Sequence, residues 1–301
     1  MRALSLQKSP AFPLSAAVAL GLAYPAAGWE WLIIPSLLLA MTFSLQDVRL
    51  ERASGLKKAA AGLMLNYLLL SGVIIALSQG LNDPALRQGY LVMAAVPPAI
   101  AVVPLSRLLG GDVSLAVLTE SICYLAGLVL TPMIIFAFAH VSGAGMLQVG
   151  QAVLLLIVLP FFISRKVHLL GLNPDLPVTL GLFLVTYLVV GANQDALWEV
   201  QMLDAGLIAV ARTFLTGAVA FLILGALGSD RETRITLTLF GSYKNLGLTA
   251  AMALLIFGQR AAIPAAVCAL AETAFYITLA LLSRWRCEPE RTAERAAARQ
   301  P

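Results

Sequence analysis

Residues 241–247 read Gly241-Ser242-Tyr243-Lys244-Asn245-Leu246-Gly247 and lie inside an otherwise apolar run, 233–257. Two glycines and four polar side chains there cannot continue a regular apolar helix. A second apolar run, 88–107, carries Pro97 and Pro98 at its middle and Pro104 soon after. Each proline removes a backbone donor and crowds the preceding turn, so this run cannot be one regular helix either. Irregular backbone inside apolar surroundings is tolerated only where neighbouring helices or a water-filled cavity satisfy its polar groups. Both breaks therefore mark places where something other than lipid is met.

Outward from these breaks, the composition is that of a membrane protein. Of 301 residues, 60% are hydrophobic and only 12% charged, with a mean hydropathy of +0.88. A soluble chain averages about 25% charged residues, so this one cannot build a polar shell. Runs of about 20 apolar residues are read as spans, and there are ten: 11–27, 29–46, 59–79, 88–107, 113–139, 147–163, 177–194, 203–228, 233–257 and 262–283. With the N-terminus inside, sixteen of the Lys and Arg residues fall in inner loops and termini, against two outside, Arg87 and Arg260. That asymmetry obeys the positive-inside rule. The expected architecture is an all-α, multi-pass protein of the inner (plasma) membrane with both termini cytoplasmic. Residues 1–283 form one transmembrane unit and 284–301 a charged tail. The broken runs are the fourth and ninth, five apart, which points to two inverted five-helix repeats, about 11–139 and 147–283, with the site where the breaks meet.

The remaining two basic residues, Arg212 and Lys244, fall within spans, as do Glu120 and Glu272. A charge at a span centre costs about 2.5–3.5 kcal/mol on insertion scales, so each is a functional candidate. Arg212 and Glu272 lie at similar depths and can pair to hold two helices together. Glu120 and Lys244 belong to the neighbourhood of the breaks, with Ser242, Tyr243, Asn245, Pro97 and Pro98. Enzyme chemistry is poorly supported. His140 and His168 fall at opposite membrane sides, and no metal-protease, nucleophile-elbow or phosphate-loop motif is present. Cys123, Cys268 and Cys287 share no close spacing, so neither a metal site nor a disulfide framework is expected. The basic residues are scattered, which argues against nucleic acid as a partner.

Four stretches resemble the bile acid:sodium symporter family: LLLAMTFSLQDVR ending at Arg49, 94–132, 230–254 and 261–270. The resemblance implies ten helices in two inverted repeats, with a panel domain and a core domain of crossing, discontinuous helices. It also implies secondary transport of an organic anion, bile-acid-like or another carboxylate or sulfonate. The departures from the family pattern fall on the ion sites. Where the family has a Ser-Asn after the proline pair, this chain has Val102 and Val103. A serine and a threonine become Ala116 and Glu120, and a glutamate and a glutamine become Phe240 and Lys244. Asn245 keeps a family asparagine, and Asn66 stands where a glutamine is usual. Sodium thus finds few side-chain ligands. The expectation is that Lys244, paired with Glu120, replaces a sodium ion, either as a fixed pair or as a proton-coupling one. No cofactor is expected. The rival readings are a cation/proton antiporter of similar fold and a non-transporting receptor or subunit.

Overall fold

The computed structural model describes residues 11–47, 55–139, 143–169, 171–195, 199 and 201–297. Arg49 and His140, named above, lie outside them. Twelve principal helices follow in chain order. They are α1 (Ala11–Ala23), α2 (Ile33–Ser44), α3 (Leu56–Ser78), α4 (Pro84–Ala95), α5 (Val102–Leu109) and α6 (Val113–Phe138). The chain continues with α7 (Gly145–Leu169), α8 (Asp175–Ala192), α9 (Met202–Ala226), α10 (Arg231–Phe240), α11 (Leu246–Phe257) and α12 (Ile263–Ala297). No strand occurs among the described residues. Helices α3, α6, α7, α9 and the stretch Gln259–Leu281 are each long and apolar enough to cross a membrane. Leu68, Phe136, Leu154, Leu207 and Leu222 stand exposed on them, an apolar exterior suited to lipid.

Both expected interruptions are present. At about 1.5 Å per residue, the twelve residues of α4 reach only about 18 Å, short of a bilayer core. Helix α4 starts where Asp83 accepts from the N–H groups of Ala85 and Leu86, with Pro84 in the first turn. It stops because Val96, before a proline, is extended (φ −72°, ψ 156°). Helix α5 ends on Gly110 at φ +73°, a left-handed cap that glycine adopts without strain. Asp112, Asp230 and Asn245 cap α6, α10 and α11 by accepting from Leu115, Thr233 and Leu248. An Asx residue thus starts each helix that meets the breaks, apart from α5. The charged segment expected as a tail continues α12 as helix to Ala297.

Helix α8 packs on α1 and α2, and α7 joins them through α2. The broken helices lie beside this layer, cradled by α3, α6, α9 and α12. Within the cradle, α4 packs on α11 and α5 on α10, so each half of one broken helix meets the opposite half of the other. Close approach at the crossing needs small residues. A Cβ added at Gly89 of α4 would fall on the carbonyl oxygen of Ala261 and 2.9 Å from Cγ of Pro264.

Candidate functional site

The two breaks touch directly. The Asn245 N–H donates to the Pro97 carbonyl at 3.1 Å. Breaking a helix strands carbonyls at the C-terminal end of its first half and N–H groups at the start of its second half, and the two sets have different fates here.

The stranded carbonyls are met by buried side chains. Lys244, fully buried, donates from Nζ to the carbonyls of Ala94 (3.1 Å) and Val96 (2.9 Å) at the end of α4. The same ammonium donates to Asn66 Oδ1 (2.8 Å) and Ser71 Oγ (2.9 Å) and lies 4.6 Å from the centroid of the Tyr67 ring. These are four oxygen acceptors around a group with three donors, with a ring face beside it. Asn66 Nδ2 in turn donates to the carbonyls of Phe240 (2.8 Å) and Tyr243 (3.1 Å), at the end of α10. Arg212 Nη1 takes the Ser242 carbonyl at 3.3 Å, Tyr124 donates to Pro98 O at 3.3 Å, and Thr131 donates to Ala95 O at 2.9 Å. Helix C-termini carry partial negative charge, and two cationic side chains lie against them.

The cage around Lys244 is aligned by a local distortion of α3. Residues Leu65–Leu70 form a π turn, in which the Ser71 N–H reaches back to Asn66 O. In a regular α-helix, positions five apart point about 140° away from each other. The π turn brings Asn66 and Ser71 onto one ammonium. A second π turn, Ala211–Leu215 in α9, carries Arg212. Such turns occur frequently at functional sites.

Lys244 does not pair with Glu120, contrary to the sequence expectation. Glu120 is 5% exposed and, among the described residues, has neither an ion pair nor a hydrogen bond. Two carbonyls at the end of α4, with the Asn66 amide and the Ser71 hydroxyl of α3, surround the ammonium instead. Arg212 does pair with Glu272, Nη2 to Oε1 at 2.7 Å, with both side chains buried. The same Oε1 accepts from the Lys244 N–H at 3.2 Å.

The N–H ends of the breaks border a cleft of about 80 Å³, room for several waters or a small solute. Its lining includes Ala99, Ile100 and Ala101 of the first break and Tyr243 to Gly247 of the second. Leu182, Val185 and Thr186 of α8 face them, with Glu272, Thr273 and Tyr276 of α12. Asn245 serves both sides. Its Oδ1 caps α11, and its Nδ2 donates to the Tyr124 hydroxyl at 2.8 Å. Tyr243 donates from its hydroxyl to the Glu272 carbonyl at 2.8 Å, and Ser242 turns back to Thr238 O at 2.7 Å. The structure therefore gathers Lys244, Asn245, Tyr243, Asn66, Pro97 and Pro98 at the crossing. Ser242 contributes its carbonyl rather than its hydroxyl, and Glu120 stands apart. Ser71, Tyr124 and Thr131 belong to the network as well. Nothing in their sequence surroundings marks them.

A family model of SBF-like CPA transporters matches residues 11–271. The chain belongs to the SBF-like CPA transporter family. It is similar to the sodium-dependent transporter YocS of Bacillus subtilis (strain 168), 27% identical over 224 residues, which cover 68% of this chain and 67% of YocS. It is also similar to YfeH of Escherichia coli (strain K12), 32% identical over 98 residues, 31% of this chain and 29% of YfeH. As an SBF-like family member with several apolar helices, the chain is a multi-pass membrane transporter.

Proposed function

We propose that this SBF-like transporter carries small organic anions by alternating access, with Lys244 standing permanently where relatives bind a sodium ion. The observation that carries the reading is the sorting of polarity at the crossing. Carbonyl ends of the broken helices are closed by buried donors, including Lys244 and Arg212, whereas the starts of α5 and α11 border the cleft. N–H groups at a helix start attract a carboxylate or sulfonate. A cleft of about 80 Å³ suits a short acid, and a steroid-sized anion would require it to widen. The ten helical stretches, broken at the fourth and ninth, support ten spans in two inverted five-helix repeats. The π turns of the third and the eighth stretch each carry a polar residue to the breaks, while a further π turn, Leu154–Val158 in the sixth stretch, has no counterpart in the first.

Leu105, Leu182 and Tyr276, which line the cleft, fall in the halves of their spans that the expected charge topology would turn toward the cytoplasm. At the opposite end Gln259 donates to Ala192 O (3.0 Å) and Glu30 (3.3 Å), joining the start of α12 to the α8 layer. This arrangement is that of an inward-facing carrier. Uptake of a labelled bile salt and a short organic-acid panel into proteoliposomes, under sodium, potassium or pH gradients, tests the reading. Uptake of a short acid indifferent to sodium is expected. Sodium-driven uptake would overturn the role given to Lys244, and binding without flux would favour a receptor. One observation favours a second reading, cation/proton antiport. Glu120 is a buried carboxyl without a partner, and exchange of protons for sodium with no organic solute would support it.

A further inference from the structure

The cleft does not present N–H groups alone. Glu272 also lines it, and this carboxylate is only half committed. Oε1 takes both Arg212 Nη2 (2.7 Å) and the Lys244 N–H (3.2 Å). Among the described residues Oε2 has no hydrogen-bond partner, although the side chain is nine-tenths buried. Oε2 is not among the fully buried unpartnered atoms, so it is the oxygen left open to the cleft, and a solute there is the group placed to donate to it. Leu246 and Gly247, the first two residues of α11, line the same cleft. Asn245 Oδ1 caps the N–H of Leu248 and leaves theirs without a partner among the described residues. The two features are close in the chain, since the residue whose N–H touches Glu272 is two positions before Leu246.

We propose that the solute taken by this cleft is a small zwitterion, an α- or β-amino carboxylate. Its carboxylate lies on the N–H groups of Leu246 and Gly247 and its ammonium on Glu272 Oε2. The proposal rests on the transport reading above and amends its substrate from a simple anion to a carboxylate that also carries an ammonium. A simple anion would satisfy the helix start yet lie against a carboxylate that only Arg212 offsets. An ammonium on the same molecule turns that repulsion into a charge-assisted hydrogen bond. Thr186 and Thr273 line the cleft from α8 and α12, the Thr273 hydroxyl donating back to the Ala269 carbonyl at 2.8 Å.

The test uses the full chain in proteoliposomes and four probes of nearly equal size: alanine, β-alanine, propionate and propylamine. Exchange of internal for labelled external probe is measured without an ion gradient, so that coupling does not enter. The expected order is alanine or β-alanine at least about tenfold above both propionate and propylamine, the value of one hydrogen bond to a charged group. Glu272→Gln keeps an oxygen for Arg212 and the Lys244 N–H but removes the charge. It should erase the advantage over propionate, read as the ratio of alanine to propionate exchange in the same preparation. If that variant fails to assemble, the double variant Arg212→Leu/Glu272→Leu removes the pair together and should give the same levelling. Propionate matching or exceeding the amino acids in the unaltered protein overturns the zwitterion proposal and leaves anion transport standing. Exchange of no probe, alongside transport of a larger anion, also overturns it. Exchange of no carboxylate of any size overturns both.

Discussion

Replacing Lys244 by alanine removes one ammonium from four acceptors, and the cost can be worked from the cage. Ala94 O keeps the Ser71 hydroxyl at 2.6 Å. Asn66 Oδ1 and Val96 O have no other donor among the described residues and become orphaned buried acceptors. At about 1–3 kcal/mol for each, Lys244→Ala should lose about 2–6 kcal/mol of stability. The vacated volume is lined by Asn66 Oδ1, Ser71 Oγ, Ala94 O and Val96 O. Such a shell accepts a small monovalent cation but not choline. Thermal unfolding in detergent at constant ionic strength, with sodium, potassium or choline chloride, is the assay. The unaltered protein should respond equally to the three salts. Lys244→Ala should start lower and recover in sodium or potassium, by about 2.7 kcal/mol at a hundred times the dissociation constant. Lys244→Met, which fills the volume without charge, should not recover. If the unaltered protein is stabilised by sodium as much as Lys244→Ala is, the lysine does not occupy a cation position. If Lys244→Ala loses no stability, the cage is not what closes the end of α4.

Arg212→Met should cost about 3–5 kcal/mol by leaving Glu272 buried without its partner, and adding Glu272→Met should restore most of it; thermal unfolding of the single and double variants decides this. Asp230 gives a pH dependence. The Thr233 N–H, then Lys58 and the Thr233 hydroxyl, hold its carboxyl down to about 2 from an ordinary 3.8. Its contribution is therefore complete above pH 3.8 and is lost as pH falls through 2. Asp230→Ala should lower the unfolding temperature at neutral pH and flatten its decline between pH 4 and 2. Gly89→Ala should destabilise by about 1–3 kcal/mol, since its methyl meets the Ala261 carbonyl rather than a side chain that can move aside; equilibrium unfolding in detergent measures the loss.

Helix positions and their two interruptions were legible because they depend on signals a sequence carries openly. Apolar runs set the helices, and Pro97 with Pro98 set a stop; the starts at Asp83, Asp112, Asp230 and Asn245 came from the structure. The partner of Lys244 was not legible. Opposite charges at Glu120 and Lys244 invited a pair, yet half of the ammonium's oxygen ligands are main-chain carbonyls, which any residue can supply. Ser71 reaches it only through a π turn that the ordinary residues LNYLLL do not announce. Arg212 and Glu272 were recoverable because their partners are side chains. The cleft required three-dimensional placement, since α8 contributes Leu182, Val185 and Thr186 from a segment with no polar signature.

A cation carried on a side chain has a consequence that a dissolved ion does not. Lys244 cannot leave, so its charge makes no net journey across the membrane and draws no work from an ion gradient. It does travel with the broken helices whenever they move relative to the membrane. One elementary charge crossing the whole field experiences about 2.3 kcal/mol per 100 mV, and a fraction of the field scales that in proportion. Reorientation of the empty carrier would then answer to membrane voltage even when the solute is electrically neutral. The electrical signature would be a brief displacement current on a voltage step, equal and opposite on return, with no steady current behind it.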